Sequence, residues 1–567
     1  MKQALRALLS EVYAENQVAD LVERIDARVR AMPPRDERGS TWSAADILLI
    51  SYADAIQGEQ GAPLVHLRAF LREHLSGLVS HVHLLPFFPF TSDDGFAVSD
   101  YRALDPCNGG WSDVKGLSED VSLVFDLVIN HASSAHPYFQ QFLSDTAPGN
   151  RYFYTADPDQ DVTQVTRPRA SPLLQAYETS VGTRWVWCTF SRDQVDWDFS
   201  NPDVLYEFVD VFLTYVERGA SWMRLDAIAY LWKEIGTSCI HRPQTHAIVK
   251  LLRVVAQEVG PDIKLLTETN VPLAENLSYL GNGDEAHVVY NFSLPPLLLH
   301  ALLTTNSRHL TAWCQSLPVL SDGCTYLNFT ASHDGIGLRP AEGILDDQEI
   351  EELVACVKGF GGLATQRQKP DGSLSPYELN IALFDALQGT VDGKDAWQLE
   401  RFLLSQGVMM ALAGVPALYY NSFLAASNDL EGFEKTGRNR TLNRKKWTTV
   451  ELEQRLSEPD GVPQQVLLGL RQMLQVRVAQ AAFDPDALQE CMDVDPRVVV
   501  LIRRCRRETQ RLLCLFNLSN EDVVVERTDL GLHAHALLHA HYTQGKIHVG
   551  ETQCSLSPYS IHWLEIR

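Results

Sequence analysis

Eight short apolar runs, separated by stretches with helical spacing, constrain the fold more than any other feature of the chain. Near-continuous apolar strands that alternate with helices indicate a parallel sheet covered on both faces. Eight such units fit a closed (β/α)8 barrel, the TIM barrel, whose chemistry lies at the carboxyl ends of the strands. The runs are residues 47–52, 81–86, 121–126, 222–226, 264–267, 286–290, 325–329 and 416–420.

The spacing between the runs predicts how the 567 residues divide into domains. Apolar side chains at helical spacing predict an N-terminal helical extension over residues 1–45. Two spacings are longer than a helix needs, and insertions of that length in a compact domain are typical of functional lids. We therefore expect barrel parts, inserted lids and an antiparallel C-terminal β domain in the order 46–133 (barrel), 134–203 (lid), 204–335 (barrel), 336–395 (lid), 396–485 (barrel) and 486–567 (β domain).

Composition excludes several classes of partner. A formal net charge of −24 argues against a nucleic acid or an anionic membrane surface. No apolar run is long enough to span a bilayer, and the N-terminus has no secretory pattern. The ten cysteines are scattered without zinc-type spacing, which is typical of reduced thiols. We expect a cytoplasmic monomer or homodimer that acts on small molecules without a metal or other cofactor.

Three carboxylates follow three of the apolar runs. Asp226, Glu268 and Asp334 come at or after the fourth, fifth and seventh runs. In a barrel these strand ends meet at one face, so the three acids are expected to converge. Arg224 lies two residues before Asp226, on the same side of the strand, and would keep that carboxylate ionised. The alternative is three separately solvated loop acids, which is a weaker explanation of all three together with Arg224 and His333.

Barrel carboxylates without a metal pattern suggest glycoside chemistry. Double displacement needs one carboxylate as nucleophile and one acid whose raised pKa lets it protonate the leaving oxygen. A third acid can stabilise positive charge at the anomeric carbon.

Four segments resemble the signature segments of the α-amylase family (glycoside hydrolase family 13), which are retaining α-glycosidases: 125–131, 223–227, 267–269 and 332–334. The resemblance implies that Asp226 is the nucleophile, Glu268 the general acid/base and Asp334 the transition-state stabiliser. It further implies that the residues holding the nucleophile and the bound sugar are Arg224, His131 and His333.

Further segments resemble the sucrose phosphorylase branch of that family, whose members transfer glucose to phosphate and release α-glucose 1-phosphate: 92–96, 186–196, 224–230, 333–337 and 440–444. The implied glucose-binding residues are Asp94, His131, Phe190, Gln194, Tyr230 and Arg440. The implied phosphate or acceptor contacts are Arg167, Arg169, Asn270, Tyr377 and Glu378. For the two arginines, a solvated face of the lid is the alternative.

Two departures from that branch bear on the leaving group. Sucrose phosphorylases usually carry His where this chain has Asn270, and Gln where it has Glu378. Segments 236–241, 267–272 and 443–446, with the N-terminal helices, resemble instead the glucosylglycerate phosphorylases of the branch. That likeness implies phosphorolysis of 2-O-α-D-glucosylglycerate to glucose 1-phosphate and D-glycerate through a covalent glucosyl-enzyme. The alternatives are a phosphorylase of sucrose, sucrose 6′-phosphate or glucosylglycerol, an α-glucosidase or transglucosidase, and a non-catalytic binding subunit, which would typically lack the acids.

Overall fold

Eight parallel strands close into a barrel in the computed structural model, which describes residues 1–34, 42–368, 373–533 and 535–567. Each strand pairs with its sequence neighbours, and β1 closes the barrel by pairing with both β2 and β8. All eight predicted runs are confirmed, with ends within two residues of the observed ones. The strands are β1 (Leu48–Ser51), β2 (His81–Leu84), β3 (Ser122–Leu127), β4 (Ala220–Leu225), β5 (Lys264–Thr267), β6 (Val288–Tyr290), β7 (Thr325–Phe329) and β8 (Val415–Tyr419).

A helix follows each strand and covers the outside of the barrel. Several begin at a proline, which suits the first helical turn because its missing N–H would have no partner there. Asn201 caps the third of them by accepting from the Asp203 N–H. The helices are Pro63–Phe70, Trp111–Ser118, Pro202–Glu217, Pro243–Val259, Leu273–Leu277, Leu294–Thr304, Gln398–Ala411 and Val462–Val478.

The N-terminal extension is helical, as predicted. Helices Lys2–Ser10 and Glu15–Arg30 pack on barrel helices Pro243–Val259 and Pro202–Glu217. Arg28 fixes the second of them through ion pairs at 2.6 Å to Asp210 and 2.8 Å to Glu217. No described helix of the chain is long and apolar enough to cross a membrane.

Two insertions rise from the carboxyl ends of β3 and β7. The first lid contains helix Pro137–Leu143, a hairpin of Leu174–Thr179 with Gly182–Trp187, and the pair His131–Ser133 with Gln194–Asp196. The second contains helix Asp347–Gly359 and a three-stranded sheet in the order Ile336–Gly337, Leu374–Asn380, Leu363–Gln368. Both lids therefore stand over the end of the barrel where the three acids are predicted.

The C-terminal domain is antiparallel, as predicted. Arg503, in strand Val498–Arg504 of this domain, is buried and donates to the Ala411 carbonyl just before β8 at 2.6 Å. The domain thus attaches to the end of the barrel opposite the lids. Its sheets have the strand orders Leu488–Met492, Val498–Arg504, Arg511–Asn517, Ile561–Ile566, Leu538–Gln544 and Val523–Glu526, Gln553–Leu556, Ile547–Val549.

The remaining elements connect these parts. They are helices Arg308–Ser316, Leu383–Ala386, Leu430–Thr436 and Thr449–Ser457, and the short strand pairs Ile56–Gln57 with Trp447–Thr448 and Gly389–Thr390 with Gly393–Lys394.

Candidate active site

Two of the three acids lie side by side at the ends of β4 and β5. Asp226 follows Leu225 and Glu268 follows Thr267, and Leu225 and Thr267 are direct partners in the pairing of β4 with β5. Neighbouring strands are about 4.8 Å apart, so the backbones that carry the two acids lie about one strand spacing from each other. Ala227 adopts a left-handed backbone with φ 49°, and its N–H donates to Glu268 Oε2 at 2.9 Å. The turn after Asp226 thus holds Glu268 next to it.

Arg224 binds carboxylates on two strands. Its Nη1 donates to Asp226 Oδ1 at 2.8 Å and to Asp126 Oδ1 at 2.5 Å. Asp126 is the direct partner of Arg224 on β3, and it also binds His83 Nε2 at 2.7 Å. All four side chains are buried. Asp126 was not among the predicted site residues, although an acid ending the run 121–126 was a signal that could have identified it.

The surroundings of Asp226 and Glu268 separate their protonation states. Burial is the main cause that raises the pKa of Glu268 to about 7; Arg224 opposes the rise, and the carboxylates of Asp226 and Asp334 contribute to it. Burial also raises the pKa of Asp226 to about 7, and Arg224 opposes that rise. Two adjacent buried acids cannot both ionise readily, so they share one proton near neutral pH. In the described structure Arg224 donates to Asp226 and not to Glu268, which places the anion on Asp226 and the proton on Glu268.

Asp334 lies five residues after β7, in an ionised state. Arg440 Nη1 pairs with Asp334 Oδ1 at 2.5 Å, and the same guanidinium forms two hydrogen bonds with Glu378, at 3.0 and 2.6 Å. Although burial opposes it, Arg440 holds the pKa of Asp334 below its ordinary value. The third predicted acid is therefore a fixed negative charge near the other two.

Neutral rings form another wall of the site. His333 stacks on Phe96 with ring centres 5.0 Å apart and planes 4° apart. Burial keeps the pKa of His333 well below its ordinary value, so the ring is uncharged at neutral pH. His131 donates from Nε2 to the Phe96 carbonyl at 2.9 Å, and Phe190 packs on its ring at 5.1 Å. Flat apolar faces beside acids are suited to a sugar ring, which has both apolar and hydroxyl surfaces.

These residues surround one cavity at the carboxyl end of the barrel. The space that they surround is about 500 Å³, part of it open to solvent. Most of the predicted site residues line it. The lining is Asp93, Phe96, His131, Arg169, Phe190, Gln194, Arg224, Asp226, Ala227, Glu268, Asn270, His333, Asp334, Tyr377 and Arg440.

Asp94, which is predicted to bind the sugar, is not part of that lining. It binds Arg444 Nη1 at 2.5 Å, and its neighbour Asp93 lines the cavity instead. Both aspartates adopt left-handed backbone, with φ 52° at Asp93 and 48° at Asp94, and this turn decides which carboxylate faces inward. Arg444 was not among the predicted site residues, although it belongs to the segment 440–444 that resembles the sucrose phosphorylase branch.

Three further predicted residues are not part of the cavity lining. Tyr230 packs edge-on against Phe190 with ring centres 5.7 Å apart. Glu378 is buried and bound to Arg440, so its contact with a ligand would be indirect. Arg167 turns back into the lid and donates to the Ser171 carbonyl.

Arg169 does reach the cavity. Its guanidinium lies 5.7 Å from the ring centre of Tyr377, and both side chains line the wall. Among the residues that the structure describes, none forms a hydrogen bond or ion pair with Arg169. The first lid thus presents an unpaired positive charge to a cavity whose other arginines, Arg224 and Arg440, each bind two carboxylates.

A lysine occupies the polar pocket behind His131. Lys233 Nζ lies 2.8 Å from Asn130 Oδ1 and 3.0 Å from Asp196 Oδ2, and all three side chains are buried. The Lys233 ammonium group thus neutralises the buried Asp196 carboxylate. Lys233 was not among the predicted site residues. Within the described ranges no group of three or more His, Cys, Asp or Glu side chains is arranged to hold a metal ion.

The barrel, the acids at its strand ends and the lids define the class of protein. The model of the α-amylase catalytic domain matches residues 75–319, and the chain is a (β/α)8 enzyme of the α-amylase family. The chain is 44% identical to the glucosylglycerate phosphorylase of Spirochaeta thermophila, with 91% of this chain and 89% of that protein covered. It is 39% identical to the Escherichia coli glucosylglycerate phosphorylase over the whole of both chains. Within the α-amylase family, the chain belongs to the glucosylglycerate phosphorylases.

A solved structure extends the comparison to the fold. The sucrose 6F-phosphate phosphorylase from Thermoanaerobacter thermosaccharolyticum matches with a TM-score of 0.72 and 25% identity, covering 84% of this chain and 94% of that one. The sucrose phosphorylase branch inferred from the sequence is thereby confirmed.

Proposed function

We propose that this enzyme cleaves 2-O-α-D-glucosylglycerate with inorganic phosphate, giving α-D-glucose 1-phosphate and D-glycerate. The observation that carries the proposal is the guanidinium of Arg169, unpaired among the described residues, on the cavity wall beside the acids. A protein of net charge −24 repels anions at long range, so phosphate and glycerate need a local cation. Guanidinium binds either anion through two parallel hydrogen bonds.

In the first half-reaction, ionised Asp226 attacks the anomeric carbon of the glucosyl group. Glu268 gives its proton to O2 of the departing glycerate as the glycosidic bond breaks. A covalent bond between Asp226 and the anomeric carbon forms with inverted configuration. The fixed negative charge of Asp334 stabilises the positive charge that develops on the sugar in the transition state.

In the second half-reaction, phosphate enters the space that glycerate has left, beside Arg169. Glu268 is now ionised and accepts a proton from the phosphate, whose oxygen attacks the anomeric carbon and displaces Asp226. A second inversion restores the α configuration, so the product is α-glucose 1-phosphate. The placement of Asp226 and Glu268 after directly paired residues of neighbouring strands supports this route, because retaining enzymes keep their two carboxyls close together, at about 5 Å.

Hydrolysis or transfer to a sugar would use the same three acids, and Arg169 is what favours phosphate over water. Asn270 and Glu378 differ from the usual sucrose phosphorylase residues, which argues against fructose as the leaving group. Glu378 would act through its two hydrogen bonds to Arg440.

The test is synthesis in the reverse direction from glucose 1-phosphate. Parent enzyme receives D-glycerate, glycerol, fructose or fructose 6-phosphate, and phosphate release is followed, with Asp226→Asn as the control for background release. We expect D-glycerate to be used at least about tenfold more efficiently than glycerol, the value of one charge-assisted contact. Preference for fructose or its phosphate, or glucose release without regard to acceptor, would contradict the proposal.

We further propose that the enzyme works in the cytoplasm as a monomer or homodimer. All ten cysteines are free and eight of them are buried, which supports a reducing compartment. Light scattering of the purified protein against its mass of 63.5 kDa tests the oligomeric state, and a larger assembly would contradict it.

A further inference from the structure

We propose that Gly337 is a positioning residue for the leaving group: it leaves room for the Asn270 amide, which accepts a hydrogen bond from the primary hydroxyl of glycerate. The inference rests on the proposed function and adds a residue that determines acceptor specificity. Gly337 contacts no reacting atom, so its effect must pass through Asn270.

Gly337 belongs to the short strand at the edge of the second lid. It lies opposite Glu378 in the pairing of Ile336–Gly337 with Leu374–Asn380. A Cβ atom on Gly337 would lie 2.6 Å from Asn270 Nδ2 and 2.7 Å from Oδ1, distances that real Cβ atoms do not reach. Its backbone is outside the left-handed region, so the glycine is required for space and not for conformation.

Asn270 has an unused acceptor. Its Oδ1 atom is buried and has no donor among the described residues, although the side chain lines the cavity. A buried carbonyl oxygen without a donor is costly, and such groups are commonly satisfied by a ligand or water. Asn270 lies two residues after Glu268, which protonates the leaving oxygen, so its amide is near the rest of the leaving group. In glycerate the carbon next to the leaving oxygen carries a hydroxymethyl group that can donate.

The two contacts therefore recognise different parts of glycerate. Arg169 suits its carboxylate, and the Asn270 oxygen suits its primary hydroxyl. D-Lactate has the same configuration, the same carboxylate and the same attacking hydroxyl, but a methyl group in place of the hydroxymethyl group. Comparison of the two acceptors isolates the hydrogen bond to Asn270.

The experiment measures kcat/KM for D-glycerate and D-lactate, with glucose 1-phosphate as donor, in the parent enzyme and Gly337→Ala. The added methyl group must displace the flexible Asn270 amide, so we expect the glycerate-to-lactate ratio to fall about tenfold, as for one lost hydrogen bond. The KM for glycerate should rise by a similar factor. Slow hydrolysis of glucose 1-phosphate, which needs no acceptor contact, should stay within about twofold of the parent.

Two controls separate positioning from a structural effect. Gly359→Ala adds a methyl group in the same lid where nothing lies within 4 Å, and should match the parent in every assay. Asn270→Ala should lower the same ratio, and Gly337→Ala should lower it no further in that background, because the two act through one contact.

An unchanged glycerate-to-lactate ratio and glycerate KM in Gly337→Ala would overturn the inference, as would full additivity with Asn270→Ala. A parent enzyme that does not use glycerate at all would instead contradict the proposed function.

Discussion

The inner and outer halves of the cavity are built differently. The inner half consists of Glu268 and of two acids bound by arginines, Asp226 and Asp334, and it rests mainly on the barrel. Its charges are already paired: Arg224 binds two carboxylates, and Arg440 binds two more. The outer half contains Arg169 from the first lid, Tyr377 from the second, and Asn270 after β5. In the described structure the Arg169 guanidinium and the Asn270 oxygen have no hydrogen-bond or ion-pair partner.

The two halves of the cavity therefore have different functions. The paired inner half is preorganised, so its charges need little rearrangement when a glucosyl group is transferred. Any retaining α-glycosidase needs such a half. The unpaired groups of the outer half are available to a ligand, and their chemistry decides which anion enters. We therefore expect inner substitutions to remove transfer to every acceptor, and outer substitutions to change the choice among acceptors.

The largest effect is expected at Asp226. Asp226→Asn keeps the shape of the side chain and removes the charge that attacks the sugar, so turnover should fall by about four orders of magnitude or more with all acceptors. Initial rates of phosphate release measure it, and an unchanged melting temperature would exclude unfolding. Activity within about tenfold of the parent would remove Asp226 from the nucleophilic role.

Glu268→Gln should have a smaller effect that depends on the leaving group. Loss of a general acid should lower phosphorolysis of glucosylglycerate by about 10²- to 10⁴-fold. An activated aryl α-glucoside, whose leaving group needs no proton, should lose much less in the glucosylation step. Equal losses for the two substrates would contradict the assignment.

The pH dependence should show the same acid. The pKa of Glu268 is raised to about 7, so the proton it must donate is present below that pH and lost above it. kcat/KM for glucosylglycerate should therefore decline by about tenfold per pH unit well above 7. This alkaline decline should be absent in Glu268→Gln, and its persistence there would assign it to another group.

Arg169→Lys should give the smallest loss of activity and the clearest change in the ratio of phosphorolysis to hydrolysis. Lysine keeps the charge but lacks the planar pair of donors, so phosphorolysis should fall by about ten- to a hundredfold while slow hydrolysis changes little. With an uncharged aryl α-glucoside as donor, which has no anionic group for Arg169 to bind, the KM in hydrolysis should be nearly that of the parent, because the inner half is untouched. An equal fall in both rates would mean that Arg169 supports the lid and does not select the acceptor.

The fold was predictable because a buried parallel sheet produces a simple hydrophobic pattern in the sequence. Residues 123–127 of β3 and 265–267 of β5 are buried on both faces of the sheet, so the apolar runs of these strands are nearly continuous. The helices between these strands are covered by the barrel on one side only, so their apolar residues recur at helical spacing. Acids that end such runs, Asp226 and Glu268, could be placed at one face of the barrel by topology alone.

The outer half was less predictable, because loop backbones decide which side chain faces the cavity. Arg167 and Arg169 are equivalent in sequence, separated by one proline, yet only Arg169 lines the wall while Arg167 binds a carbonyl within the lid. The left-handed turn likewise presents Asp93 and not Asp94. Ion pairs between residues far apart in the chain, such as Arg440 with Glu378, produce no local sequence pattern from which they could be predicted.

The most direct test of the account is the configuration and phosphate dependence of the product. Purified enzyme is incubated with 2-O-α-D-glucosylglycerate and phosphate, and the sugar product is followed by proton and phosphorus NMR. Two displacements at one carbon, ended by phosphate beside Arg169, predict α-glucose 1-phosphate in equal amount to glycerate, formed only when phosphate is present. A β-phosphate, or free glucose released at the same rate with and without phosphate, would contradict the account.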